Sequence, residues 1–158
     1  MKKTILTLVL FWLATLVHAG TLPGPLVDAE WLAANRDKVV VLDVRIDPRT
    51  LTRAPVFRKD RKTGKKVLVQ VNGHIPGALW IDYKKIRGTR IVDGRKVEKM
   101  ILDKAAFEKV MQSAGVPGGK PLVIVSQGLS NGDMTMATRL YWQLKYYGSD
   151  DMAILDGG

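Results

Sequence analysis

The 158-residue chain contains no cysteine. Disulfides, thiolate nucleophiles and cysteine-ligated metals are therefore excluded together. Histidine is nearly as scarce, at two residues, so a closed zinc site would need a set of carboxylates that the spacing does not offer. Nothing in the sequence asks for a metal or a cofactor. Acids are also under-represented, with 15 Asp and Glu against 25 Lys and Arg and a net charge of +10. No apolar run reaches the roughly 20 residues of a membrane-spanning helix; the one from Ile5 to Val17 falls short, which argues against stable membrane insertion. Repeats and low-complexity segments are absent as well.

That short run follows Lys2 and Lys3 and precedes Val17-His18-Ala19, where small residues stand at the positions a signal peptidase reads. The pattern predicts a signal peptide over 1–19 and an exported, periplasmic domain over 20–158. Losing Lys2 and Lys3 lowers the net charge from +10 to +8 and leaves His74 as the sole histidine. Export without disulfides leaves packing to supply stability, and this length suffices for one core.

The positive charge is uneven. Residues 45–66 hold nine Lys and Arg against Asp47 and Asp60. Nucleic acid is a poor partner for an exported chain, and Phe57 alone offers no aromatic series for stacking bases. A solvated hairpin is the simplest reading of the segment, ahead of a specific anion-binding or membrane-surface patch.

The remaining sequence alternates strand and helix signals. Asp28 caps a short helix over Ala29–Ala34, and Val39–Leu42 is a β-branched apolar run expected to be covered on both faces. Residues 56–71 read as a hairpin turning at Thr63-Gly64, and Asp93-Gly94 signals a second one. Ala78–Ile81 is another buried strand. Asp103 caps a helix with Phe107, Val110, Met111 and Ala114 on one face, ended by Gly115 and Pro117. Leu122–Val125 is a strand, residues 126–132 a loop, and a helix opens at Asp133 with Met134, Ala137, Leu140, Tyr141, Leu144 and Tyr147 on one side. Met152–Leu155 is the last strand. The pattern predicts an α/β domain on a mainly parallel sheet with helices on both faces, plus basic β-hairpin insertions. The last strand has no following element to cover it, so the chain reads as C-terminally truncated.

Several residues could carry chemistry. The loop Ser126-Gln127-Gly128-Leu129-Ser130-Asn131-Gly132 precedes a helix start, whose free N–H groups suit a small oxyanion. Asp43 and Arg45 end the first long strand and project to one side; Arg45 would face an anion, or, more simply, the two pair with each other. His74 sits in Gly73-His74-Ile75-Pro76-Gly77-Ala78, where Pro76-Gly77 suits a type II turn; it is a general base or, more commonly, a ring held in the turn. Gly128-Leu129-Ser130-Asn131-Gly132 fits the G-x-S-x-G elbow of serine hydrolases. No histidine follows Ser130 and only 28 residues remain, so that reading is rejected. Tyr141, Trp142, Tyr146 and Tyr147 divide between two helix faces and read as core plus surface.

Val41-Leu42-Asp43-Val44-Arg45, Gly73-His74-Ile75-Pro76-Gly77-Ala78 and Ala153-Ile154-Leu155-Asp156-Gly157-Gly158, in this order and spacing, resemble the rhodanese family of thiosulfate sulfurtransferases from about Leu26 onward. The resemblance implies that the loop after Val125 is the active-site loop, with Asp43, Arg45 and His74 in support. In active members a cysteine opens that loop, takes the outer sulfur of thiosulfate as a persulfide and passes it to cyanide or a thiol. Here the position is Ser126, and a hydroxyl provides no thiolate to attack sulfur. The resemblance is closest to the cysteine-less first domain of an exported tandem rhodanese. It implies a domain silent by itself, with thiosulfate or a similar oxyanion as ligand and a second, cysteine-bearing rhodanese domain as partner. The alternative is a non-catalytic oxyanion-binding or partner-docking module. The insert between Arg45 and Gly73 is longer than the family pattern, as is the loop from Ser126 to Asp133.

Overall fold

Side chains alternate across a strand, so a strand buried on both faces contributes to two cores at once. That is the arrangement in the computed structural model, which describes residues 22–158. The segment read as a signal peptide lies outside the described residues. Among the described residues no helix is long and apolar enough to cross a membrane.

The elements are β1 (Leu26–Val27), α1 (Ala29–Ala34), β2 (Val40–Arg45), β3 (Val56–Lys59), β4 (Lys66–Gln70), β5 (Leu79–Asp82), β6 (Arg87–Val92), β7 (Arg95–Ile101), α2 (Lys104–Ser113), β8 (Leu122–Val125), α3 (Asn131–Tyr146) and β9 (Met152–Leu155). Five strands form one sheet in the order β1-β9-β8-β2-β5, and each neighbouring pair is parallel. Leu42, Val44, Ile81, Ile124, Met152 and Ile154 face α2 and α3, where Phe107, Met111, Ala137, Leu140 and Leu144 meet them. The alternate residues Val41, Val123, Val125, Ala153 and Leu155 pack with Val27 and Leu32 on the α1 side. Each fully buried Leu, Ile or Val contributes about 1.5–3 kcal/mol to this sandwich.

Three details differ from the sequence reading. Leu26–Val27 is a strand: its backbone pairs with Ile154 and Leu155. Consequently β9 is not left uncovered; all four of its residues are buried, with α3 on one face, the α1 layer on the other and β1 along its outer edge. α3 opens at Asn131, two residues before Asp133, because Ser130 is its N-cap. Asn131 and Gly132 are poor helix formers, but first-turn N–H groups have no intrahelical partner to lose, so weak formers are tolerated there.

The chain leaves β2 toward β5 on one side and leaves β8 toward β9 on the other. Between the carboxyl ends of β2 and β8 the winding therefore changes direction, which opens a crevice at that edge of the sheet. The two hairpins β3–β4 and β6–β7 are separate two-stranded sheets. The first is inserted directly after β2 and so rises beside the crevice.

Candidate functional site

Asp43 and Arg45 end β2 and pair with Val125 of β8 and Asp82 of β5 respectively. Their side chains are almost fully buried, at 2% and 3% exposed. Arg45 Nε donates to Asp43 Oδ1 at 2.6 Å and a second guanidinium N–H donates to Oδ2. Arg45 Nη1 also donates to Thr50 Oγ1 at 3.1 Å. The guanidinium is thus turned inward, and Arg45 does not face the crevice. Burial raises the Asp43 carboxyl above its usual range, with the Arg45 hydrogen bond and charge pulling the other way.

His74 lies near enough to lower the Asp43 carboxyl electrostatically. Its Nδ1 sits 3.0 Å from the Leu51 carbonyl, a contact that makes Nδ1 the donor. Ala78 N–H donates to the Ile75 carbonyl at 2.9 Å across Pro76-Gly77, and Gly77 has φ +78°, so the type II turn forms as the dipeptide predicts. His74 itself is exposed, with that one ring nitrogen tying the turn to Leu51.

Ser126 follows β8 and is 3% exposed. Its Oγ is the one buried side-chain oxygen or nitrogen among the described residues without a hydrogen-bond partner. Gln127 reaches across the crevice, donating from Nε2 to the Val71 carbonyl at 2.6 Å. Gly128 has φ +70°, and a Cβ there would stand 2.0 Å from the Gly157 carbonyl oxygen. Only glycine allows the two backbones to approach so closely. The Leu-Asp-Gly-Gly strand end and the loop after β8 are therefore locked against each other.

The rest of the loop is organised by Asp133. Its carboxylate accepts from Leu129 N–H at 3.1 Å and from Ser130 Oγ at 2.9 Å, while its own N–H donates to Ser130 Oγ at 3.2 Å. This is a reciprocal N-cap, and Ser-x-x-Asp is its sequence signature. Ser130 is a cap, not a nucleophile. Asn131 and Gly132 form the first turn of α3. The protein's own carboxylate thus occupies part of the N–H array that an external anion would use.

A hollow of about 290 Å³ opens between this loop and the base of the insert, lined by Asp47, Thr50, Arg53, Gln70, Asn72, Gln127, Leu129 and Asp133. Arg49 holds the Asp47 carboxyl down at about 2 by a side-chain hydrogen bond. Two carboxylates, Asp47 and Asp133, therefore share the wall with Arg53. The base of the insert is clamped by Gly73 N–H to the Thr50 carbonyl at 2.7 Å and Asn72 Nδ2 to the Ala54 carbonyl at 2.8 Å. Sequence reasoning named Ser126 to Gly132, Asp43, Arg45 and His74, of which Asp43 and Arg45 end β2 beside β8 and Ser126 follows β8 directly. It missed Asp47, Asn72 and Asp133, of which Asp133 was legible through its capping signature. Among the described residues no group of three or more His, Asp and Glu is placed to hold a metal ion.

No protein-family model matches the chain. The 3-mercaptopyruvate sulfurtransferase of Escherichia coli K12 is 28% identical over 134 residues, covering 84% of this chain and 41% of that protein. A Saccharopolyspora erythraea protein provisionally named a thiosulfate sulfurtransferase is 35% identical over 86 residues, covering 54% of this chain and 27% of its own length. The crystal structure of SseA from Escherichia coli, described under the rhodanese fold of 3-mercaptopyruvate sulfotransferases, superposes with a TM-score of 0.56. It is 19% identical and covers 87% of this chain and 41% of that one. The sheet order, the crevice at its carboxyl edge and this superposition define an α/β domain of the rhodanese fold. In sequence the chain is similar to the sulfurtransferases named above. It spans about two fifths of the length of the curated relatives matched over most of it.

Proposed function

We propose that this chain is the exported, non-catalytic rhodanese unit of a thiosulfate sulfurtransferase, with Ser126 standing where active members carry the sulfur-accepting cysteine. The observation that carries the reading is the buried Ser126 at the mouth of the loop, in a chain without a single thiol. Sulfane transfer needs a nucleophile that attacks sulfur and holds it as a persulfide; an alcohol at neutral pH does neither. The stretch Lys2 to Ala19 supports export to the periplasm. Purified chain given thiosulfate and cyanide should form no thiocyanate above the uncatalysed rate; stoichiometric turnover would overturn the reading.

A second reading is favoured by the length of the relatives: a partner of the same family supplies the cysteine, and this unit docks on it. A mixture of this chain with a cysteine-bearing rhodanese domain would then elute together on size exclusion, whereas independent elution would count against docking. Oxyanion binding at residues 126–132 would have to compete with the Asp133 carboxylate, which already accepts from Leu129 and Ser130.

A further inference from the structure

The hairpin β3–β4 lies outside both cores. Among its strand residues only Val69 is part-buried; the others are exposed. An isolated two-stranded hairpin is marginal in water, yet this one leaves Val56, Phe57, Val67 and Leu68 at 37–47% exposure. Register puts Phe57 opposite Leu68 and Lys59 opposite Lys66. Since cross-strand partners share a face, one face carries two apolar side chains beside two ammonium groups. Lys66 Nζ lies 4.5 Å from the Phe57 ring centroid. The opposite face pairs Arg58 with Val67.

Six cations, Arg58, Lys59, Arg61, Lys62, Lys65 and Lys66, fall between Val56 and Gln70, against the single acid Asp60. That acid is already engaged: its Oδ1 accepts from Lys62 N–H at 3.0 Å and Thr63 N–H at 2.7 Å. The ribbon is therefore cationic on both faces and at its tip, with apolar side chains between the charges. No hollow described above is formed by its strands other than at Gln70.

From this combination we infer that the β3–β4 ribbon is a peripheral docking arm for an anionic lipid bilayer surface. Dense, laterally mobile headgroups match cations that have no fixed geometry, and the interfacial zone accepts exposed Phe57 and Leu68. A folded acidic protein would instead need a complementary shape, and no hollow described above is formed by the faces of the ribbon. Because the ribbon's base forms one wall of the hollow beside the loop, docking would hold that hollow close to the membrane.

Sedimentation of the full chain with vesicles of phosphatidylcholine alone, or mixed with phosphatidylglycerol, tests this. Partition should favour the anionic vesicles, weaken by about fivefold per cation removed, and fall at high salt. Lys59→Glu with Lys66→Glu should abolish most of the preference. Phe57→Ser should weaken binding at unchanged charge. The apolar run near residue 10 is common to all variants, so differences between them report the ribbon alone; thermal melts confirm that each remains folded. Equal partition into neutral and anionic vesicles would overturn the inference. So would undiminished binding by the double variant, or competition by polyglutamate or a single-stranded oligonucleotide that is insensitive to Phe57→Ser.

Discussion

Arg45 keeps its guanidinium inside the protein, where Asp43 and Thr50 take up its donors. A buried ion pair of this kind adds little over an apolar replacement, but losing one partner strands the other charge. Arg45→Met should therefore cost about 3–5 kcal/mol in urea unfolding at pH 7. The cost should shrink on acidification. A carboxyl raised in the folded state contributes stability that is complete below its unfolded value, 3.8, and lost as pH rises through the folded one. Removing Arg45 takes away the lowering influences and widens that window upward. Adding Asp43→Asn to Arg45→Met should recover most of the loss at pH 7 and flatten the pH dependence. If the single variant were as stable as the parent at both pH values, the pair would not be the support of the site's floor that its burial indicates.

At the scale of elements, the sequence was most legible where period and punctuation agree. Val39–Leu42, Leu122–Val125 and Met152–Leu155 read as strands because each is an unbroken apolar run, and the strands they form are the centre of the sheet. Asp28 and Asp103 cap their helices as their positions predict. What escaped was held by tertiary partners alone. Leu26–Val27 is a strand only because β9 lies beside it, since two residues carry no period. Gln143, polar and on α3, is fully buried because the Ile86 carbonyl accepts from its Nε2 at 2.9 Å and Arg139 donates to its Oε1 at 3.1 Å. The loop composition suggested an empty anion cradle, whereas the folded geometry puts Asp133 into it. Asp133→Asn keeps an acceptor for Leu129 and Ser130 but removes the charge. Titration calorimetry with thiosulfate should show weak or no heat for the parent and a stronger, salt-sensitive signal for the variant, whose helix should lose about 0.3–1 kcal/mol at its N-terminus. Equal affinity in the two proteins would mean that Asp133 does not guard the loop.

At the scale of the whole molecule, the proposed non-catalytic role raises the question of whether the domain would be one atom short of an enzyme or built around that atom's absence. Were it one atom short, Ser126→Cys would restore a sulfur acceptor. Three features of the fold argue otherwise. Ser126 Oγ is enclosed and without a partner, the loop above it is pinned by the Gly128–Gly157 backbone contact, and the nearby wall carries Asp47 and Asp133. A thiol in that place gains no cationic neighbour among the wall residues that could stabilise its anion except Arg53, and enclosure raises the pKa of a thiol. It should remain protonated at neutral pH. Ser126→Cys should fold, because cysteine is a small, readily buried side chain. In native buffer it should react with a disulfide reagent at least about a hundredfold more slowly than in urea, since access requires local opening. It should also form no thiocyanate from thiosulfate and cyanide. Rapid labelling of the native variant together with turnover would show that the cradle had been kept competent and that only the sulfur atom was missing. Slow labelling without turnover would place the cause of the proposed inactivity in the shape and charge of the whole loop.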